Sequence, residues 1–73
     1  MTQKLRQITG RELIAILRRH GFEIDRQSGS HVIMIHPDGR RVTVPLHAGR
    51  TLGKGLLRSV MADARLTRED LEG

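Results

Sequence analysis

"FEIDRQSGSHVIMIHPDGRRVTVP", residues 22–45, decides the fold. Its opening, Phe22-Glu23-Ile24-Asp25-Arg26, alternates apolar and polar with period two, the pattern of a half-buried strand. Ser28-Gly29 is a turn signal, and a second strand is expected from Ser30 to about His36. Pro37-Asp38-Gly39 predicts a hairpin turn, because proline presets one turn dihedral and glycine takes the positive one. Arg40 to Val44 then read as a third strand, with Val42 and Val44 on one face and Arg41 and Thr43 on the other. Pro45 ends it, having no amide to give to a ladder.

Helical patterns flank this block on both sides. Thr9-Gly10-Arg11-Glu12 is a capping box, in which the Thr9 hydroxyl takes the Glu12 amide and the Glu12 carboxylate reaches back. Leu13, Ile14, Ile16 and Leu17 recur at helical spacing, and Gly21 suits a left-handed stop, so a helix is expected over about 10–20. Its outer face carries Arg11, Arg18 and Arg19. After a loop at 46–53, a second helix places Leu56, Leu57, Val60, Met61 and Ala64 on one stripe. Thr67-Arg68-Glu69-Asp70 offers a further cap before Leu71 and a short helical turn. The order helix, three strands, helix implies an α+β two-layer domain spanning 1–73, with both helices on one face of an antiparallel sheet. The other face is left for a partner.

Size and charge narrow what such a domain does. A chain of 73 residues makes a thin core, burying about 60% of its unfolded surface. It has no cysteine, hence no disulfides or thiolate metal sites, which fits a reducing compartment. No apolar stretch approaches the ~18 residues of a membrane span, and no signal-like run follows Met1, so a soluble, cytoplasmic protein is expected. Residues 1–58 hold eleven Lys/Arg against four Asp/Glu, a net of +7, whereas 59–73 carry −2. A basic body points to a polyanion, either nucleic acid or an acidic protein surface. Phe22 is the only aromatic residue, so recognition of RNA would rest on backbone charge, shape and the 2′-hydroxyl rather than base stacking.

Most chemistries find no support in the spacing. His31 and His36 lie five apart on a strand and point to opposite faces, His47 lies beyond Pro45, and His20 ends the first helix. No carboxylate accompanies them at ligand spacing, so no metal site is expected. Ser28, Ser30 and Ser59 occupy no nucleophile elbow, and Gly49, Gly53 and Gly55 match neither a P-loop nor a dinucleotide fingerprint, so no cofactor is expected. Acid–base work by an imidazole among arginines is what is left. An RNA phosphodiester already contains its nucleophile, the 2′-hydroxyl, so a protein need only move protons and stabilise charge on phosphorus. Imidazole suits the first task and guanidinium the second. His31, with Arg26, Arg40 and Arg41 on the strands, has that composition; His47 is a candidate second proton carrier or loop contact. The bland alternative is a histidine that closes a turn at the head of an apolar strand. Because 32–35 are all apolar, the pattern does not say which side of that strand is core.

The segment "TGRELIAILRRHGFEIDRQSGSHVIMIHPDGRRVTVPLH", followed by "LLRSVMADARLTREDL", resembles the HicA toxins of bacterial and archaeal toxin–antitoxin pairs over nearly the whole chain, from about Thr9 to Leu71. The resemblance rests on Gly21-Phe22, Gly29-Ser30-His31, His36-Pro37-Asp38-Gly39, Val44-Pro45-x-His47 and Leu57-Arg58-Ser59-Val60 in that order. It implies a fold similar to double-stranded-RNA-binding domains, an mRNA interferase that cleaves without the ribosome, and inhibition by a HicB-type antitoxin, expected to be acidic at the contact. It also implies that the family's catalytic histidine is His31, with Gly29 freeing the turn and Ser30 orienting the ring or a phosphate. Helix two opens "GKGLLRSV", residues 53–60, which suggests a frayed first turn or an amide nest for phosphate.

Two other readings stand beside the toxin nuclease. A non-catalytic RNA-binding module would lean on Lys54 and Arg58, one helical turn apart, more than on His31. A protein-interaction module would use the same basic surface only to hold an acidic partner.

Overall fold

A computed structural model describes residues 7–72, so the extreme ends of the expected 1–73 unit lie outside the described residues. The element order is α1 (Gly10–Arg19), β1 (Glu23–Ser28), β2 (His31–Ile35), β3 (Arg41–Pro45), α2 (Lys54–Ala64) and α3 (Arg68–Glu72). The three strands form one antiparallel sheet in the order β1-β2-β3. This is the α-β-β-β-α layout with a short C-terminal helix that the pattern predicts.

Both ends of α1 are built as their residues dictate. The Glu12 amide donates to Thr9 Oγ1 at 3.1 Å, and the Thr9 amide to Glu12 Oε1 at 2.9 Å. At the far end Gly21 has φ 94, which lets its amide reach the Arg18 carbonyl while the Phe22 amide reaches that of Leu17. Phe22 thereby belongs to the helix stop and not to the first strand, and its ring enters the core.

The core draws Leu13, Ile16 and Leu17 from α1, Val32, Met34, Val42 and Val44 from the sheet, and Leu57, Val60, Met61 and Ala64 from α2. Ile8 and Phe22 from the connecting segments and Leu71 from α3 complete it. Leu52 donates its amide to the Ile8 carbonyl and Thr9 bridges Thr51, so the entry to α1 is tied to the entry to α2.

The expectation of a half-buried first strand is corrected. β1 runs Glu23–Ser28, and all six of its residues are exposed, Ile24 included at 48%. The helices pack over β3, on the opposite edge of the sheet, so β1 extends past the cover they provide. The strand is also irregular. Ile24 pairs with Met34 but Arg26 pairs with Ile33, which leaves Asp25 as a bulge. Regular alternation would put Arg26 on the side of Ile24 and Met34; the extra residue turns it to the opposite side, shared with Ile33 and Glu23.

The hairpin between β2 and β3 anchors one end of the molecule. The Gly39 amide donates to the His36 carbonyl, and the His36 amide to that of Arg40, both at 2.9 Å. Arg40 lies over the Phe22 ring at 5.0 Å, donates from Nε to Asp38 Oδ2 at 2.8 Å, and donates from Nη1 to the Ala64 carbonyl at the C-terminus of α2. His36 meets the Phe22 ring edge-on at 5.0 Å, and its Nδ1 accepts the Asp38 amide. A Cβ at Gly21 would sit 2.8 Å from His36 Nε2, so glycine there makes room for the ring as well as for the turn.

Two measurements check this cluster. Arg40→Met lowers the free energy of unfolding by about 1–3 kcal/mol in a denaturant titration, since it removes charge-assisted bonds and ring stacking together. The Arg40 guanidinium, through its side-chain hydrogen bond, holds the Asp38 carboxyl down at about 2 from its ordinary value of 3.8. A depressed carboxylate adds stability above its unfolded pKa and loses it as pH falls through the folded one. Acid unfolding therefore steepens as pH drops from about 4 toward 2, and Asp38→Asn flattens that limb in a pH-dependent melting series.

A candidate nucleic-acid site at the sheet end

His31 opens β2 directly after a two-residue loop, Gly29-Ser30. Gly29 has φ 58 and Ser30 a negative φ, the pattern of the hairpin turn that requires glycine first. The Gln27 side-chain amide donates to the Gly29 carbonyl at 3.0 Å and braces the loop. Val32 and Met34 are buried beneath the helices, so by alternation His31, Ile33 and Ile35 face away from them. The ambiguity of the apolar run is thus resolved with His31 exposed on the open face.

The register lays out that face in three rungs. Ser28, His31 and Pro45 form the first, Arg26, Ile33 and Thr43 the second, and Glu23, Ile35 and Arg41 the third. Arg26 is a diagonal neighbour of His31, within reach of a long side chain. Arg41 shares the face but stands four residues along β2, ~13 Å away. Arg40 is not brought beside His31: its guanidinium serves Phe22, Asp38 and α2 at the hairpin end.

Pro45 has a specific relation to His31. The Leu46 amide donates to the Ser30 carbonyl and the His36 amide to that of Arg40, so the 30/46 and 36/40 pairs are hydrogen-bonded. The alternation between them makes His31/Pro45 a non-hydrogen-bonded pair, the closer kind, with side chains most nearly in contact. Proline costs nothing in this place, because its nitrogen faces the outer edge of β3.

Beyond Pro45 the chain turns through His47, whose carbonyl accepts the Arg50 amide at 3.0 Å. His47 is exposed and lines a hollow of about 330 Å³ with Thr9, Gly10, Arg11, Leu46, Ala48 and Gly49. Lys54 and Arg58 are exposed on α2, in the other layer. Both helices run the same way: the start of α1 touches Pro45 and the end of α2 touches Arg40. Their N-termini therefore share the end of the molecule occupied by His31. α2 starts at Lys54 behind Gly53, with no side-chain cap and no acidic residue in its first turn, and its Leu57 amide reaches the Gly53 carbonyl at 2.9 Å, so the first turn is formed.

Sequence reasoning did not single out Gly10, Arg11 or Arg50 as members of this end. The available signal was a glycine inside a capping box, where helix formers are better placed. Among the described residues, no three His, Asp or Glu side chains converge as a metal-holding group. No helix among them is long and apolar enough to cross a membrane.

The loop before His31 gives a direct check. A Cβ at Gly29 would meet nothing within 4 Å, so Gly29→Ala costs only the left-handed backbone, about 1–2 kcal/mol in chemical denaturation. Gly29→Asn costs less, because asparagine tolerates that conformation.

A family model described as the HicA toxin of bacterial toxin–antitoxin matches residues 10–66, from the first helical residue to just past the end of α2. The comparison with curated proteins finds no match. The matched span contains all three strands, both long helices and the Gly29-Ser30-His31 loop. The chain belongs to the HicA toxin family, the toxin half of bacterial toxin–antitoxin pairs.

Proposed function

We propose that this toxin is an endoribonuclease that cleaves mRNA with His31 as its acid–base group and needs no metal. The observation that carries the reading is the exposed imidazole at the head of β2, next to an arginine that a bulge has turned onto the same face. His31 takes the proton of a ribose 2′-hydroxyl. The oxygen attacks phosphorus, the O2′–P bond forms and the P–O5′ bond breaks. The departing O5′ takes a proton from the imidazolium or from a second carrier, for which His47, two residues past Pro45, is the candidate. Arg26 balances charge on the phosphoryl oxygens through a forked pair of hydrogen bonds. Gly29 and Ser30 hold the imidazole at the turn, while Arg41, Lys54 and Arg58 contact flanking phosphates.

Electrostatics supports an anionic partner at this end. The α2 N-terminus presents partial positive charge there with no first-turn carboxylate to offset it, and Lys54 adds to it, whereas Glu12 caps the start of α1. A HicB-type antitoxin is the partner that the family implies. We place its acidic surface over the open face, where it would exclude RNA, and place both proteins in the cytoplasm with mRNA.

Incubation of the purified chain with labelled RNA and a chelator tests the reading. Wild type cleaves, and His31→Ala cleaves at least about 10²-fold more slowly while keeping its melting curve and RNA binding. Undiminished cleavage by His31→Ala removes the assignment, and cleavage abolished by the chelator overturns the metal-free mechanism. Binding by the inactive variant weakens with salt at a slope of about −0.7 per phosphate contacted, and Arg26→Ala lowers the magnitude of that slope.

A further inference from the structure

Gly10 is buried, and a Cβ built on it would collide with the Pro45 carbonyl oxygen and lie 3.3 Å from Leu46 Cδ2. A backbone oxygen within a strand does not swing aside as the tip of a flexible side chain does. Any larger residue would push the start of α1 away from the end of β3. Conformation does not demand glycine here, since Gly10 is absent from the residues with positive φ. Glycine is also a poor helix former, and the Thr9–Glu12 capping box already starts the helix without it. Close approach is the one property of glycine that this position uses.

The contact leads straight to His31. Pro45 stands across from His31 in the close, non-hydrogen-bonded pair, so its backbone and ring form the wall beside the imidazole. The carbonyl of that pair's proline points outward from β2, toward α1. Leu46, the next residue, is held on its other side by the Ser30 carbonyl, immediately before His31. Helix start, strand end and imidazole form one packed series, with the His47 hollow bounded by the same Gly10 and Leu46.

We propose that Gly10 is a positioning residue for His31: the missing side chain lets α1 seat against Pro45, and that seat fixes the wall against which the imidazole is aimed. The catalytic consequence rests on the ribonuclease reading above; the geometric one does not. A displacement of about 1 Å at a reacting group costs up to ~10²-fold in rate, so the effect falls on turnover more than on binding.

The test uses the full chain with Gly10→Ala, and Gly39→Ala as the control. Gly39 sits in the hairpin at the opposite end with φ 100, and a Cβ there would meet nothing within 4 Å, so that variant is strained without touching Pro45. In Gly10→Ala the His31 ring proton and carbon resonances move, and kcat for RNA cleavage falls about tenfold to a hundredfold with KM within about twofold. In Gly39→Ala the His31 resonances stay in place and kcat falls no further than its unfolded fraction explains. Unmoved His31 resonances in folded Gly10→Ala overturn the proposal, as does a loss of kcat equal to the control's at equal melting temperature. If Gly10→Ala does not fold, Leu46→Ala loosens the same seat without adding an atom, and unmoved His31 resonances in that variant overturn it. Shifted resonances in a chain whose wild type cleaves no RNA support the positioning contact and sink the ribonuclease reading instead.

Discussion

Burial of Val32 and Met34 under the two helices sets which side of the sheet meets solvent, and the place of every residue on the open face follows from it. Side chains alternate along a regular strand, so a register slip of one residue would carry His31 and Ile33 into the core and bring Val32 and Met34 out. The sheet resists such a slip through its turns. Gly29-Ser30 closes one hairpin with a two-residue loop and the Gly39 turn closes the other, so neither strand pair has a free end along which to slide. The position of the imidazole is thus determined by packing on the far side of the sheet.

The two ends of the sheet are built differently. At the hairpin end Phe22, His36, Asp38 and Arg40 form a contiguous set of ring contacts and charged hydrogen bonds, which also takes up the last carbonyl of α2. At the other end lie two helix N-termini, the exposed side chains of His31 and His47, and the hollow between α1 and the loop. Polar groups satisfy one another at the first end. At the second the Thr9–Glu12 box closes α1, while the side chains of His31 and His47 and the uncapped start of α2 remain exposed. A small domain has stabilising contacts to spare in few places, and here they are concentrated at one end.

Much of this was legible in the sequence because the cues were local. The Thr9–Glu12 box, Gly21 and the Pro37-Asp38-Gly39 turn each dictate a backbone conformation through their own chemistry, and each is found as expected. Gly29-Ser30-His31 reads as a turn that puts a histidine at a strand start, and the structure has it so. What escaped was set by contacts distant in sequence. The period-two pattern of 22–26 looks half-buried, yet Phe22 is taken by the helix stop and the helices fail to cover Ile24. The bulge at Asp25 has no residue signature, so the side on which Arg26 emerges was not readable. Arg40 and Arg41 look interchangeable on paper. One residue of strand phase sends the first to Phe22 and the second to the open face.

The same phase argument bears on how few groups the proposed cleavage would need. A three-stranded sheet of five or six residues per strand offers three rungs on its open face, and here two of them carry isoleucine at the centre. Only the rung nearest the Gly29 loop places a titratable ring beside a rigid neighbour, since proline has almost no side-chain freedom to lose. An imidazole set against such a wall has fewer rotamers to give up on meeting a phosphate than one among flexible side chains, which lowers the entropic part of the cost of orientation. The long, mobile arginines then serve best one rung away, where reach matters more than aim. That division, a fixed ring at the sheet end with adaptable charge around it, follows from strand parity and from the nature of residue 45, and it requires no more core than 73 residues can supply.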